Sequence, residues 1–173
     1  KHAQSAFQIE DAINNLDRKI TDYLIELSAT TLSEQESEEH HMLMDTVRDI
    51  ERIGDHFENL VELGEYQQSN RVKISEAAMA DLTEMLDLTI STVKESITAL
   101  GENNEDAARR VVEKENQIDK MERKLRKKHI LRLNDGLCSG QAGVIFVDIT
   151  SNLERIGDHA VNIAEAVLGE EKH

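Results

Sequence analysis

Proline is absent from this sequence, and so is tryptophan; three Phe and two Tyr are all it has of Phe, Tyr and Trp. With Ala, Leu, Ile, Glu, Asp and Lys abundant in their place, the composition points to an all-α protein. The single cysteine, Cys138, leaves no disulfide framework and suits a reducing, cytoplasmic setting. No apolar run approaches the ~20 residues that a membrane-spanning helix needs, and no signal peptide is recognisable. Positive charge is scarce, with 20 Lys and Arg against 35 Asp and Glu, a net charge of −15. A phosphate backbone would repel such a chain, which excludes nucleic acid as a partner class. Gly-rich phosphate loops, zinc-type Cys/His spacings and nucleophile elbows are also missing, so no enzyme is expected. The 173 residues suffice for one core or two small fused bundles. The chain starts at Lys1 rather than Met, which suggests a piece of something longer or a trimmed form.

What the sequence does have is helical periodicity. Ala6, Ile9, Ile13, Leu16, Ile20, Leu24 and Leu27 recur at three- and four-residue steps, predicting a helix over about 3–29. Ser33 followed by Glu36 reads as a capping box opening a second helix that runs to about Gln67, with Leu43, Val47, Ile50, Ile53, Phe57 and Val61 on its apolar stripe. A third helix is predicted over about 72–100, a fourth over 105–133 and a fifth over 139–168, separated by Gly101-Glu102-Asn103-Asn104 and by Asn134-Asp135-Gly136. Helices near 30 residues favour antiparallel bundles with coiled-coil-like packing.

One hexapeptide, Glu-Arg-Ile-Gly-Asp-His, occurs at 51–56 and again at 154–159. Asp45 and Asp148, Asn59 and Asn162, and Glu62 and Glu165 match at the same offset. The first and fourth helices align too: Glu10, Ile13, Asn14, Leu16 and Asp17 correspond to Glu115, Ile118, Asp119, Met121 and Glu122. The chain is therefore a duplication, with a first three-helix repeat over 1–103 and a second, shortened repeat over 104–173. The third helix of the second copy is missing. Its absence predicts an apolar groove, to be filled by the long third helix, by a partner chain or by other sequence.

Each hexapeptide places a Glu and an Asp at i and i+4, side by side on a helix. At 100° per residue, Glu51 and Asp55 flank the apolar stripe rather than oppose it, and so do Glu154, Asp158, Glu115 and Asp119. Antiparallel packing then brings Glu115 and Asp119 to face Glu154 and Asp158, and Glu10 and Asn14 to face Glu51 and Asp55. Clustered carboxylates repel, and a bound cation is the direct remedy. Oxygen-only ligands suit hard ions such as Mg²⁺, Mn²⁺, Ca²⁺ or oxidised iron. The candidate ligands are Glu51, Asp55, Glu154, Asp158, Glu115, Asp119 and Glu10, with Asp45 and Asp148 at matched positions beside them. The competing reading is a solvated acidic flank without any ion.

Other residues have simpler explanations. Gly54 and Gly157 fall inside the apolar stripes, where close helix approach explains them. Arg52 and Arg155 should pair with Asp45, Asp148 or neighbouring acids. His56 and His159 lie away from the acids and are read as structural. Glu38 and His40-His41 give one Glu-x-x-His where a di-iron site needs two. Cys138 is expected to be a small buried thiol. The basic run Lys120, Arg123, Lys124, Arg126, Lys127, Lys128 and Arg132 reads as solvated helix surface near a C-terminal dipole, or as a contact for an anionic membrane face or an acidic partner.

The two Glu-Arg-Ile-Gly-Asp-His segments, followed by Asn59 and Asn162, closely resemble the signature helices of the PhoU family. That resemblance implies two similar three-helix bundles, regulation of phosphate uptake and signalling, and surface clusters of iron, zinc or Mg/Mn ions on the Glu/Asp-x-x-x-Asp motifs. Asn14, standing where the other repeat has Asp119, implies a weaker first site. The short form resembles the C-terminal cytoplasmic PhoU-like domain of bacterial sodium-dependent Na/Pi cotransporters. Its implied partners are the transporter's membrane domain or a phosphate-signalling protein, with a homodimer and peripheral membrane contact open. The alternative is a soluble PhoU-type regulator acting as a metal-free helical adaptor.

Overall fold

The computed structural model describes residues 2–169; the outer bounds expected for the two repeats, residue 1 and residues 170–173, lie outside this range. Five helices make up the architecture: α1 (His2–Ser28), α2 (Glu34–Ser69), α3 (Glu76–Glu102), α4 (Glu105–Asn134) and α5 (Gly140–Leu168). The boundaries follow local chemistry. Ser33 and Glu36 form the expected reciprocal capping box at the start of α2. Ser75, Asn104 and Ser139 each accept a backbone N–H at the start of α3, α4 and α5. Asn103 ends α3 in the left-handed conformation that asparagine tolerates better than most residues.

α3, α4 and α5 pack mutually as a three-helix bundle; α2 lies on α5, and α1 lies on α2 alone. The third helix, grouped by sequence with the first repeat, thus packs with the helices of the second. Its inner face is narrow: Ala78, Leu82, Met85, Thr89, Thr92, Ser96 and Ala99 are all buried. Thr89 and Thr92 return their hydroxyls to the carbonyls of Met85 and Leu88, which makes burying them affordable. Across from them stand Val111, Ile118, Leu153, Ile156, Ala160 and Ala164, with no exposed surface.

The open apolar groove lies at the first repeat. Ala6, Ile9 and Ile13 of α1, Ile50, Ile53, Phe57 and Val61 of α2, and Val93 and Ile97 of α3 line a largely apolar cavity of about 420 Å³. Three of the seven residues of the α1 stripe stay uncovered: Ile9 is 61% exposed, Leu16 57% and Ile20 41%. The signature glycines serve close approach as expected. A Cβ at Gly54 would meet Ile13 at 3.3 Å, and one at Gly157 would meet Ile118 at 3.1 Å.

Candidate metal centre

Because Ile118 seats against Gly157, α4 and α5 come close enough for the acids beside that contact to meet. One ligand oxygen each from Glu115 and Asp119, a turn apart on α4, and from Asp158 of α5 lie within 4.8 Å of one another. All three side chains are half-buried. Glu154, one turn before Asp158, stands beside them within the electrostatic reach of Asp158, Asp119 and Glu122. It is not one of the converging three.

The electrostatics reflect that crowding. Burial, followed by the charges of Asp119 and Asp158, pushes the Glu115 carboxyl up to about 7. Asp158 is raised by burial and by Asp119, and Glu154 by burial and by Asp158. The side-chain cations nearby only partly answer this. Arg123 comes within 3.8 Å of Asp119 at an exposed position, and the Arg155 charge acts on Glu154 and Asp158 from beyond ion-pair distance. Three carboxylate oxygens at this spacing, with one open side toward solvent, match the hard-donor set and partial coordination that divalent ions accept.

The first seam is built alike and does not close in the same way. Asn14, in the position of Asp119, donates a hydrogen bond to the buried Glu10 on its own helix. Glu10 thereby acts on Glu58, rather than completing a ring with Glu51 and Asp55. Burial and the Asp55 charge raise Glu51, and Asp17 contributes. Arg52 reaches Glu51 at 3.8 Å and Asp55 at 4.0 Å, so a protein cation already sits on that pair. The pairing expected of Arg52 with neighbouring acids is thus met by Glu51 and Asp55.

Asp45 is half-buried on α2 and is not brought to the converging carboxylates. Asp148 is exposed and lines a separate shallow hollow with Asn59, Glu62, Tyr66 and Asn152. Sequence reasoning passed over Asp17 and Glu122, which act on Glu51 and Glu154 from matched places in the two seams. Glu122 is held by Arg126 at 2.5 Å. The alignment of α1 with α4 was the signal that could have found them.

The histidines hold α2 to α5. His56 Nδ1 donates to Asn152 Oδ1 at 2.9 Å, and His159 Nδ1 donates to Asp49 Oδ1 at 2.9 Å. Asn59 and Asn162 donate to the same two acceptors at 3.2 and 3.1 Å. The two imidazoles stack with centroids 5.7 Å apart, and burial lowers the pKa of His56. Asp49, only 5% exposed, was not singled out in the sequence. Cys138, expected buried, is only half-buried because it lies in the short turn between α4 and α5. His40 is satisfied by the Leu24 carbonyl across the α1–α2 turn.

The PhoU domain family matches this chain over residues 1–64 and 82–167. The phosphate-specific transport system accessory protein PhoU homolog 1 of Thermotoga maritima is 32% identical over 120 residues, covering 69% of this chain and 51% of that protein. The chain spans about half the length of the curated relatives it matches. In fold it is similar to the crystal structure of PhoU from Pseudomonas aeruginosa, with a TM-score of 0.87 at 23% identity over 96% of this chain and 79% of that one. The phosphate transport system regulatory protein PhoU from Streptococcus pneumoniae gives 0.82 at 24% identity over 96% and 77%.

Proposed function

This chain belongs to the PhoU family, and we propose that it is a regulator of phosphate transport whose α4–α5 seam binds a divalent or oxidised iron cation. The observation that carries the metal reading is the convergence of Glu115, Asp119 and Asp158 within 4.8 Å. When bound, the ion would neutralise the crowded carboxylates and offer open coordination positions to an oxygen ligand such as phosphate. The protein's own part is to hold the donors: Gly157 admits Ile118, and that contact sets the spacing of the two helices. Glu154 stands where it can join or steady the donor set.

The regulatory reading rests on the family and on relatives named as accessory and regulatory proteins of phosphate transport. Those names favour a PhoU-type regulator acting on a transporter component or signalling protein over the narrower reading as the cytoplasmic tail of a Na/Pi cotransporter. None of the described helices is long and apolar enough to cross a membrane. In the tail reading, the spans would have to come from other sequence.

Elemental analysis of protein purified without chelator, followed by manganese titration of the apo form, tests the site. Near-stoichiometric metal that Glu115→Gln with Asp158→Asn abolishes is the expected result. Substoichiometric metal, or metal retained by that double variant, would leave a metal-free helical adaptor.

A further inference from the structure

The second half of α4 carries positive charge out of keeping with the rest of the chain. Taking Lys120 as zero and 100° per residue, Arg123, Lys124, Lys127 and Leu131 fall within about 60° of it, and Ile130 about 80° away. Ile118, Leu125 and His129 point the opposite way into the core, and all three are buried. The other cations of this run are spent internally. Lys128 and Arg132 bind Asp81 of α3 at 2.8 and 2.6 Å, and Arg126 binds Glu122. Lys120, Lys124 and Lys127 are exposed, and Arg123 has, among the described residues, only the 3.8 Å contact with Asp119.

Toward the end of the helix the same face turns apolar. Leu131 is 61% exposed and Ile130 50%, and Leu137 in the following turn reaches 68%. Leu137 shares a hollow with exposed Arg71 and Lys73 of the α2–α3 turn, which lies at the same pole. Exposed acids are present at this end too, among them Asp135 at the end of α4, Glu76 in the first turn of α3 and Glu65 near the end of α2. A cationic face grading into protruding aliphatics is the pattern of a peripheral membrane contact, with lysines meeting headgroups and leucines entering the acyl boundary. A uniformly polar acidic protein surface would meet the lysines but leave Leu131 and Leu137 unmatched.

We propose that this pole docks on an anionic lipid bilayer, led by Lys120, Lys124 and Lys127 and seated by Leu131 and Leu137. Screening within about 8 Å at physiological salt lets this local patch act despite the net charge of −15, while the acidic faces gain nothing from an anionic surface. The docking is thus orientation-specific and does not depend on the metal.

Cosedimentation of the chain with phosphatidylglycerol-containing vesicles, in the presence of chelator, tests this. Binding at low salt that pure phosphatidylcholine does not support is expected. Lys120→Gln/Lys124→Gln/Lys127→Gln should weaken it about 100-fold, near five-fold for each basic side chain. Leu131→Ser/Leu137→Ser should weaken it at least several-fold while leaving the salt dependence. Far-UV circular dichroism on both variants shows that these surface changes leave the fold intact. Absence of binding to anionic vesicles at low salt overturns the proposal. So does a Leu131→Ser/Leu137→Ser variant that binds like the parent, because the seating by leucine that the proposal requires would then be absent.

Discussion

The two seams start from the same hexapeptide and end as different objects. At α4–α5 the signature helix is clamped: α3 covers one side, Ile156 and Leu153 have no exposed surface, and three carboxylates converge at the edge. At α1–α2 the same motif is half-finished, with Ile53 6% exposed, α1 held by α2 alone and Asn14 tying up Glu10. A signature motif therefore sets what a helix can offer, and its neighbours decide what is made of it.

Truncating the shared isoleucine is the strongest way to break this comparison. Ile156→Ala should cost about 4 kcal/mol and Ile53→Ala about 2, because only the second site can relax toward an open groove. Urea denaturation reads both, and equal losses would mean that the groove is closed in solution. Filling the glycines comes next. Gly157→Leu should destabilise by about 3 kcal/mol, since Ile118 is locked between helices, whereas Gly54→Leu should cost less as α1 shifts outward.

A smaller effect separates the seams by pH. The Glu115 carboxyl sits at about 7 in the folded chain, above its ordinary value of 4.5. Between those values the folded state binds more protons than the unfolded one, so stability falls as pH rises through that window. Above pH 7, Glu115→Gln should therefore stabilise the metal-free protein. Discounted for solvent screening of a half-exposed group, the gain is about 1–2 kcal/mol. Glu51→Gln should show the same sign at lower size, because Arg52 already offsets its neighbours. Thermal melts at pH 5 and 8 measure the difference, and saturating manganese should reverse it for the parent but not for Glu115→Gln. Asn14→Asp supplies the carboxylate the first seam lacks but removes the donor to buried Glu10, so it should cost the metal-free protein about 1 kcal/mol. Manganese titration should then count a second, weaker site.

Helix positions and the α4–α5 acids were legible in the sequence, because period and offset fix which side chains share an edge. Gly54 and Gly157 were legible as points of close helix approach, but not that Ile13 and Ile118 are what they admit. The destination of α3 was not legible, since an apolar stripe records that a face is buried and not which helix buries it. The role of Asp49 was hidden for a related reason. Its value comes from His159 and Asn162, more than a hundred residues away, and no local spacing encodes such a meeting. Glu10 was misjudged because Asn14 was counted only as a missing ligand, when it is also a donor.

The α2–α5 contact repeats itself across its own centre: His56, Asn59 and Asn152 on one side answer His159, Asn162 and Asp49 on the other. Such self-matching is the mark of a two-fold interface between identical subunits. The chain thus has the form of a homodimer joined end to end, with α3 serving as tether and as filler for one half. A protein organised in this way can let its halves diverge, one keeping the inherited ligand set while the other is released from it.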